Sequence, residues 1–146
     1  MLSMKAKYAL RAMTIMAKQE KKTMQTKNIA QEGVIPQKFL EAILVELRKC
    51  GLITSKRGVF GGHQLAKPAS IIMIGDVIRA IDGTIAPIRC ASVESYVPCE
   101  DCPDPSTCSI SHIMRDVRLA ISQVLDERSI KELANYPKPL TERILD

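Results

Sequence analysis

The chain has 146 residues, the size of one ordinary domain or two very small ones. It carries 21 Lys+Arg against 16 Asp+Glu for a formal charge of +5, with 46% hydrophobic and 25% charged residues, which is enough apolar material to exclude wholesale disorder. No apolar run approaches the ~18 residues of a membrane span, and the opening MLSMKAKYAL has neither an apolar stretch nor a small-residue cleavage site, so a cytoplasmic protein without a membrane partner is expected.

Residues 4–19 read as an amphipathic helix, because Ala6, Ala9, Leu10, Met13, Met16 and Ala17 recur at the spacing of one helical face. Thr26 is placed to N-cap a short helix over 27–32. Gly33-Val34-Ile35 is a tight connection, and Pro36 opens a third helix, where a missing N–H costs nothing. That helix runs to about Cys50 and stops at Gly51. Its buried stripe is Leu40, Ile43, Leu44 and Leu47, leaving Gln37, Lys38, Glu41, Ala42 and Arg48 on other faces. Two short runs, 52–56 and 63–66, flank a turn holding Gly58, Gly61 and Gly62, a β-hairpin pattern. A fourth helix, about 74–81, buries Ile74, Val77, Ile78 and Ile81. Residues 84–105 have no periodicity and contain four of the eight prolines, and a loop of that length in a compact chain points to function. From about 106 to 128 a long helix carries the stripe Ile110, Ile113, Met114, Val117, Ala120, Ile121, Val124 and Leu125. It is longer than this small body needs as cover, so a partner helix, and hence a homodimer, is expected. A short helix over 129–135 and a loose polar tail follow.

Two helices joined by a three-residue turn, then a Gly-rich basic hairpin, make a winged helix-turn-helix. The fold class expected is mainly α, a winged helix-turn-helix DNA-binding domain with a long C-terminal dimerisation helix. Its parts are the DNA-binding domain (1–83), a cysteine-rich sensor loop (84–108), the dimerisation helix with the short helix after it (106–135) and the tail (136–146). The charge distribution agrees: residues 1–82 hold 14 Lys+Arg against 6 Asp+Glu, a surplus of +8, whereas residues 83–146 hold 7 against 10, a net −3. A basic half suits an anionic partner such as double-stranded DNA. Gln37, Lys38, Glu41 and Ala42 are the side chains that such a helix presents to base edges. Lys56 and Arg57 sit at the hairpin tip, where Arg suits a narrow minor groove, and Gly61 and Gly62 allow close approach to phosphates. With two His, no nucleotide-binding Gly loop and no nucleophile–base motif, no enzyme is expected.

Four of the five cysteines fall within 19 residues, spaced Cys90-x8-Cys99-x2-Cys102-x5-Cys108. In a reduced compartment such a cluster is metal-binding or redox-active, and thiolates favour zinc and iron–sulfur clusters. A structural zinc and a thiol–disulfide switch are the alternatives to a cluster. The fifth, Cys50, reads as a small buried residue, His112 as a surface residue more than a ligand, and His63 as a hairpin side chain facing solvent. An iron–sulfur carrier that does not read DNA would account for the cysteines but leave the wing and the basic half unexplained.

KAKYALRAM, the span IPQKFLEAILVELRKCGLITSKRGVFGGHQLAKPAS and IGDVIRAIDG resemble the IscR/NsrR/CymR-type family of bacterial winged-helix repressors over about residues 1–130. The resemblance implies a homodimer crossing at the long helix, a palindromic operator, repression of transcription, recognition-helix contacts from Lys38, Glu41 and Ala42, and Arg57 as the wing arginine. It also implies an iron–sulfur cluster, [2Fe–2S] or [4Fe–4S], on Cys90, Cys102 and Cys108, with Cys99 as a fourth or alternative ligand. The chain departs from the family in four places. His63 follows the two glycines where Tyr is frequent, and Gly33-Val34 moves a turn glycine by one position. Ser111, with His112 next to it, stands where some members place a ligand His, and Lys7 stands where others offer a carboxylate from the partner subunit.

Overall fold

The computed structural model describes residues 2–136; the predicted polar tail from Pro137 onward lies outside the described residues. Helix α1 (Met4–Lys18) is N-capped by Ser3, whose hydroxyl accepts from the Ala6 N–H at 3.0 Å. Its buried face is Ala6, Ala9, Ala12, Met13, Ile15 and Met16. The three alanines let neighbouring backbones come close, and α1 packs against α2 (Thr26–Gly33), α3 (Gln37–Lys49), α4 (Ile74–Asp82) and α6 (Ile130–Ala134). It is the central rod of the core, and each fully buried Met on it contributes roughly 1.5–3 kcal/mol.

The helix-turn-helix is α2 and α3. The buried side of α3 is Leu40, Ile43, Leu44 and Leu47, as the periodicity requires. Thr26 is the first residue of α2 rather than its cap: Gln25 takes the cap position without a side-chain bond, and the Thr26 hydroxyl is spent on His63. The turn is tight for a steric reason. A Cβ on Gly33 would stand 2.8 Å from Ile35 Cδ1 and 3.0 Å from Ile15 Cδ1, so the glycine is needed here for close packing, while the left-handed conformation falls to Val34 (φ 50, ψ 52). Gly51, φ 72, ends α3 as expected. Cys50 before it is exposed, not buried: it keeps the stripe's spacing after Leu47, but as the C-cap it stands past the last helical residue, Lys49.

The wing is a two-stranded antiparallel sheet, β1 (Ile53–Lys56) and β2 (Gly62–Leu65), with Ile53 opposite Leu65 and Ser55 opposite His63. Ile53 and Leu65 are buried and root the hairpin in the core. After α4 the chain makes a short 3-10 turn, Arg89–Ala91, inside the segment that shows no periodicity in the sequence. Helix α5 (Ser109–Asp126) follows, about 27 Å long at 1.5 Å per residue. It starts three residues later than the sequence suggests, since Ser106 is held in a turn by the Asp104 carboxylate. Ser111 alone is buried on α5; Ile110, Ile113, Val117, Ile121 and Val124 are exposed. Arg79 of α4 and Asp126 of α5 form a two-pronged ion pair at 2.8 and 2.7 Å, and Gly75 leaves the room for Asp126. Helix α6 is held by a Ser129–Glu132 capping box and by the buried Ile130. Among the described residues no helix is long and apolar enough to cross a membrane.

Candidate nucleic-acid interface and cysteine loop

Gln37, Lys38, Glu41 and Ala42 are all exposed on the first two turns of α3. Gln37 Nε2 donates to Glu41 Oε1 at 3.2 Å, which aims the carboxylate along the helix face. Lys56 and Arg57 are exposed at the end of β1, on the hairpin that follows α3. The predicted reading residues of helix and wing are therefore free to meet a duplex.

The wing is fastened to the start of the helix-turn-helix. Met24 and His63 exchange backbone hydrogen bonds at 2.9 and 2.8 Å. Thr23 Oγ1 donates to the Phe60 carbonyl at 3.2 Å, and Gln25 Nε2 to the Val59 carbonyl at 3.4 Å. Gly61 and Gly62 serve this geometry: a Cβ on Gly61 would collide with the Lys56 carbonyl, and one on Gly62 would stand 2.5 Å from the Met24 carbonyl oxygen. Their absent side chains thus seat the hairpin on the protein itself.

His63 does not face solvent. It is half-buried, with Nδ1 2.7 Å from Ser55 Oγ and Nε2 3.0 Å from Thr26 Oγ1, so one ring bridges the wing and the first turn of α2. Burial, and secondarily the Arg48 guanidinium, hold its pKa below the usual imidazole range. Nothing local in the sequence shows this, since Thr26 lies 37 residues away. Lys21 and Lys22, not singled out from the sequence, border the same depression as Lys56, Phe60 and Gly61. The double lysine and the phenylalanine between the hairpin glycines are the signals that could have marked them.

The cysteine loop runs from Gly83 to α5. Cys90 is buried in the 3-10 turn, Cys99 is exposed, and Cys102 and Cys108 are half-buried. The Cys99 thiol donates to Cys90 Sγ at 3.9 Å. The hydrogen bond to Cys90 raises the Cys99 pKa, and Asp101 adds to it. Partial burial raises that of Cys102, with its neighbour Cys108 adding to it. Among the described residues no group of three or more His, Cys, Asp or Glu is arranged to hold a metal ion; the thiols stand as two pairs, Cys90 with Cys99 and Cys102 with Cys108. His112 is engaged elsewhere, its Nε2 2.9 Å from the Ser106 carbonyl. Ser111 is fully buried with a hydroxyl that has no hydrogen-bond partner, an orphan of the kind that calls for a polar neighbour.

The Rrf2 family, described as an iron-dependent transcriptional regulator, matches residues 2–136. The chain belongs to the Rrf2 family. It is 31% identical to the HTH-type transcriptional regulator CymR of Bacillus subtilis, over 92% of this chain and 90% of that one. It is 33% identical to the HTH-type transcriptional regulator IscR of Yersinia pseudotuberculosis, over 92% of this chain and 79% of that one. The solved structure of CymR, the global cysteine regulator of B. subtilis, superposes with a TM-score of 0.75 at 31% identity, covering 94% of this chain and 98% of that one. The mainly helical winged fold is thus that of a DNA-binding transcriptional regulator and not of an enzyme.

Proposed function

We propose that this Rrf2 regulator is a homodimeric repressor whose affinity for a palindromic operator is set by an iron–sulfur cluster on its cysteine loop. The observation that carries the reading is the placement of four thiols on one loop directly between the DNA-reading half and α5. The donor set suits the group: thiolates are the ligands of iron–sulfur clusters, the thiols already stand in pairs, and the orphan Ser111 hydroxyl lies at the loop's exit. Cys90, Cys102 and Cys108 would hold the cluster, with Cys99 as the fourth or alternative thiol. When bound, the cluster supplies metal–thiolate bonds that tie the two pairs together.

The chain's own residues carry the consequence. The loop leaves α4 and enters α5, and those helices are clamped by Arg79 and Asp126. Ordering or releasing the loop therefore bears on how α5 stands against the winged half. In a dimer joined through the exposed apolar face of α5, that stance sets the spacing of two α3 helices and two wings. Regulation requires such a free-energy difference between two states. Gln37, Lys38, Glu41 and Ala42 read the major groove, Arg57 the minor groove, and Lys56 the backbone.

A second reading has one observation behind it. The Cys90 and Cys99 sulfurs, 3.9 Å apart, suit a thiol–disulfide switch in the same position, and the same four cysteines could hold a structural zinc. A Cys90→Ala variant separates the readings. Prepared anaerobically, it loses iron and visible absorption if the cluster reading holds. A variant that keeps both the cofactor and regulated DNA binding overturns the ligand assignment.

A further inference from the structure

The wing tip combines the greatest apolar exposure with a fixed backbone. Phe60 is 94% and Val59 84% exposed, the two most exposed large apolar side chains of the described residues. Their own carbonyls, however, are held by Thr23 and Gln25, and the two glycines that follow are locked against Lys56 and Met24. The backbone that carries Phe60 is set before any partner arrives, and the ring is held out in water at a hydrophobic cost. Lys21, Lys22 and Lys56 line one depression with it, and Arg57 is exposed three residues before it. An aromatic point beside clustered cations is complementary to a polyanion with an apolar slot between its charged edges. Stacked bases between two phosphate backbones have that form. The hairpin that carries the tip borders the exposed face of α3, where Ser55 and His63 line one depression with Glu41 and Arg48.

We propose that Phe60 is a wedge residue, entering the minor groove beside Arg57 and stacking against an unstacked base step of the operator. Apolar wedges kink duplexes in this way, and pyrimidine–purine steps open most cheaply. Phe60 would then determine sequence preference at a position where the wing makes no base hydrogen bond. The inference rests on the DNA-binding reading, and its test separates the two.

The chain contains no Trp, so Phe60→Trp places a single reporter at the tip. The probe is a duplex recovered from a random pool by the full-length wild-type protein, with 2-aminopurine at the wing-facing step. On saturation the tryptophan emission falls severalfold and the 2-aminopurine brightens. Phe60→Ala binds about tenfold more weakly and loses the preference for a pyrimidine–purine step. If both emissions stay unchanged at saturation and Phe60→Ala binds like wild type, the wedge is overturned while DNA binding stands. If wild type recovers no duplex, both are overturned. A blue-shifted tryptophan emission on phosphatidylserine vesicles, with no change on DNA, assigns the tip to a membrane surface and also overturns the wedge.

Discussion

Replacing Val34 by glycine or asparagine is expected to stabilise the protein, although the substitution falls in the middle of the helix-turn-helix. Val34 occupies the left-handed region at φ 50, ψ 52, which costs a non-glycine residue about 1–2 kcal/mol, with β-branched residues at the upper end. Its side chain is 79% exposed, so only about a fifth of a valine's burial energy, ~0.3–0.6 kcal/mol, is forfeited by removing it. Glycine adds ~0.5–1 kcal/mol of unfolded-state entropy, leaving a net gain near 0.5 kcal/mol. Asparagine tolerates the same conformation without that entropy cost and gains up to ~1 kcal/mol. Gly33→Ala moves the other way, since its Cβ would press on Ile35 and Ile15, an overpacking cost of about 1–3 kcal/mol. Differential scanning calorimetry reads the series directly: from highest to lowest melting temperature the expected order is Val34→Asn, Val34→Gly, wild type and Gly33→Ala, with steps of about 1–2 °C among the first three and a larger drop of about 2–12 °C to the last. A Val34→Gly protein that melts clearly below wild type, or a Gly33→Ala protein that melts with it, refutes the division of labour assigned to this turn.

Three further outcomes are expected. Arg57→Ala weakens binding to the selected duplex by about 1–3 kcal/mol and relaxes preference at one position, whereas Lys56→Ala weakens all sequences alike and makes the salt dependence shallower by about one unit; unchanged affinity in a titration of either variant removes that residue from the interface. His63 has a folded pKa below its unfolded value of about 6.5, so its contribution to stability is complete above that value and is lost as pH falls through it toward the folded value. Urea denaturation from pH 7.5 to 5 should therefore show declining stability that flattens in His63→Gln; identical slopes would contradict the buried bridge. Gly75→Ala forces Asp126 off Arg79, and it should change ligand-dependent operator affinity more than basal stability, as read by anisotropy titration beside a melting curve.

The sequence makes the winged half legible because its determinants are local. The α3 stripe repeats every three or four residues, the glycines mark the hairpin, and Gly51 ends the helix. Periodicity of that kind survives in a single sequence. The rest depends on contacts between distant positions. His63 is drawn inward by Thr26 and by its cross-strand neighbour Ser55, and no local pattern distinguishes it from a solvent-facing wing residue. Cys50 reads as a small buried residue, yet α3 ends at Lys49 and the cap position is exposed. Phe60 has no periodic pattern of its own; it lies in the turn between β1 and β2, and its exposure there is seen only in the structure. In the cysteine loop the spacing shows which donors are present, while their pairing, Cys90 with Cys99, follows from the 3-10 turn that buries Cys90.

The central claim is that a cluster on Cys90, Cys102 and Cys108 controls DNA affinity. The most direct measurement is the affinity of one anaerobic preparation for its selected duplex before and after chelation, with iron, acid-labile sulfide and zinc determined on both samples. The account predicts coloured protein containing iron and sulfide, and an affinity that changes at least fivefold when they are removed, about the lower end of coupling between sites. Colourless protein holding zinc, with the same affinity before and after chelation, would contradict it.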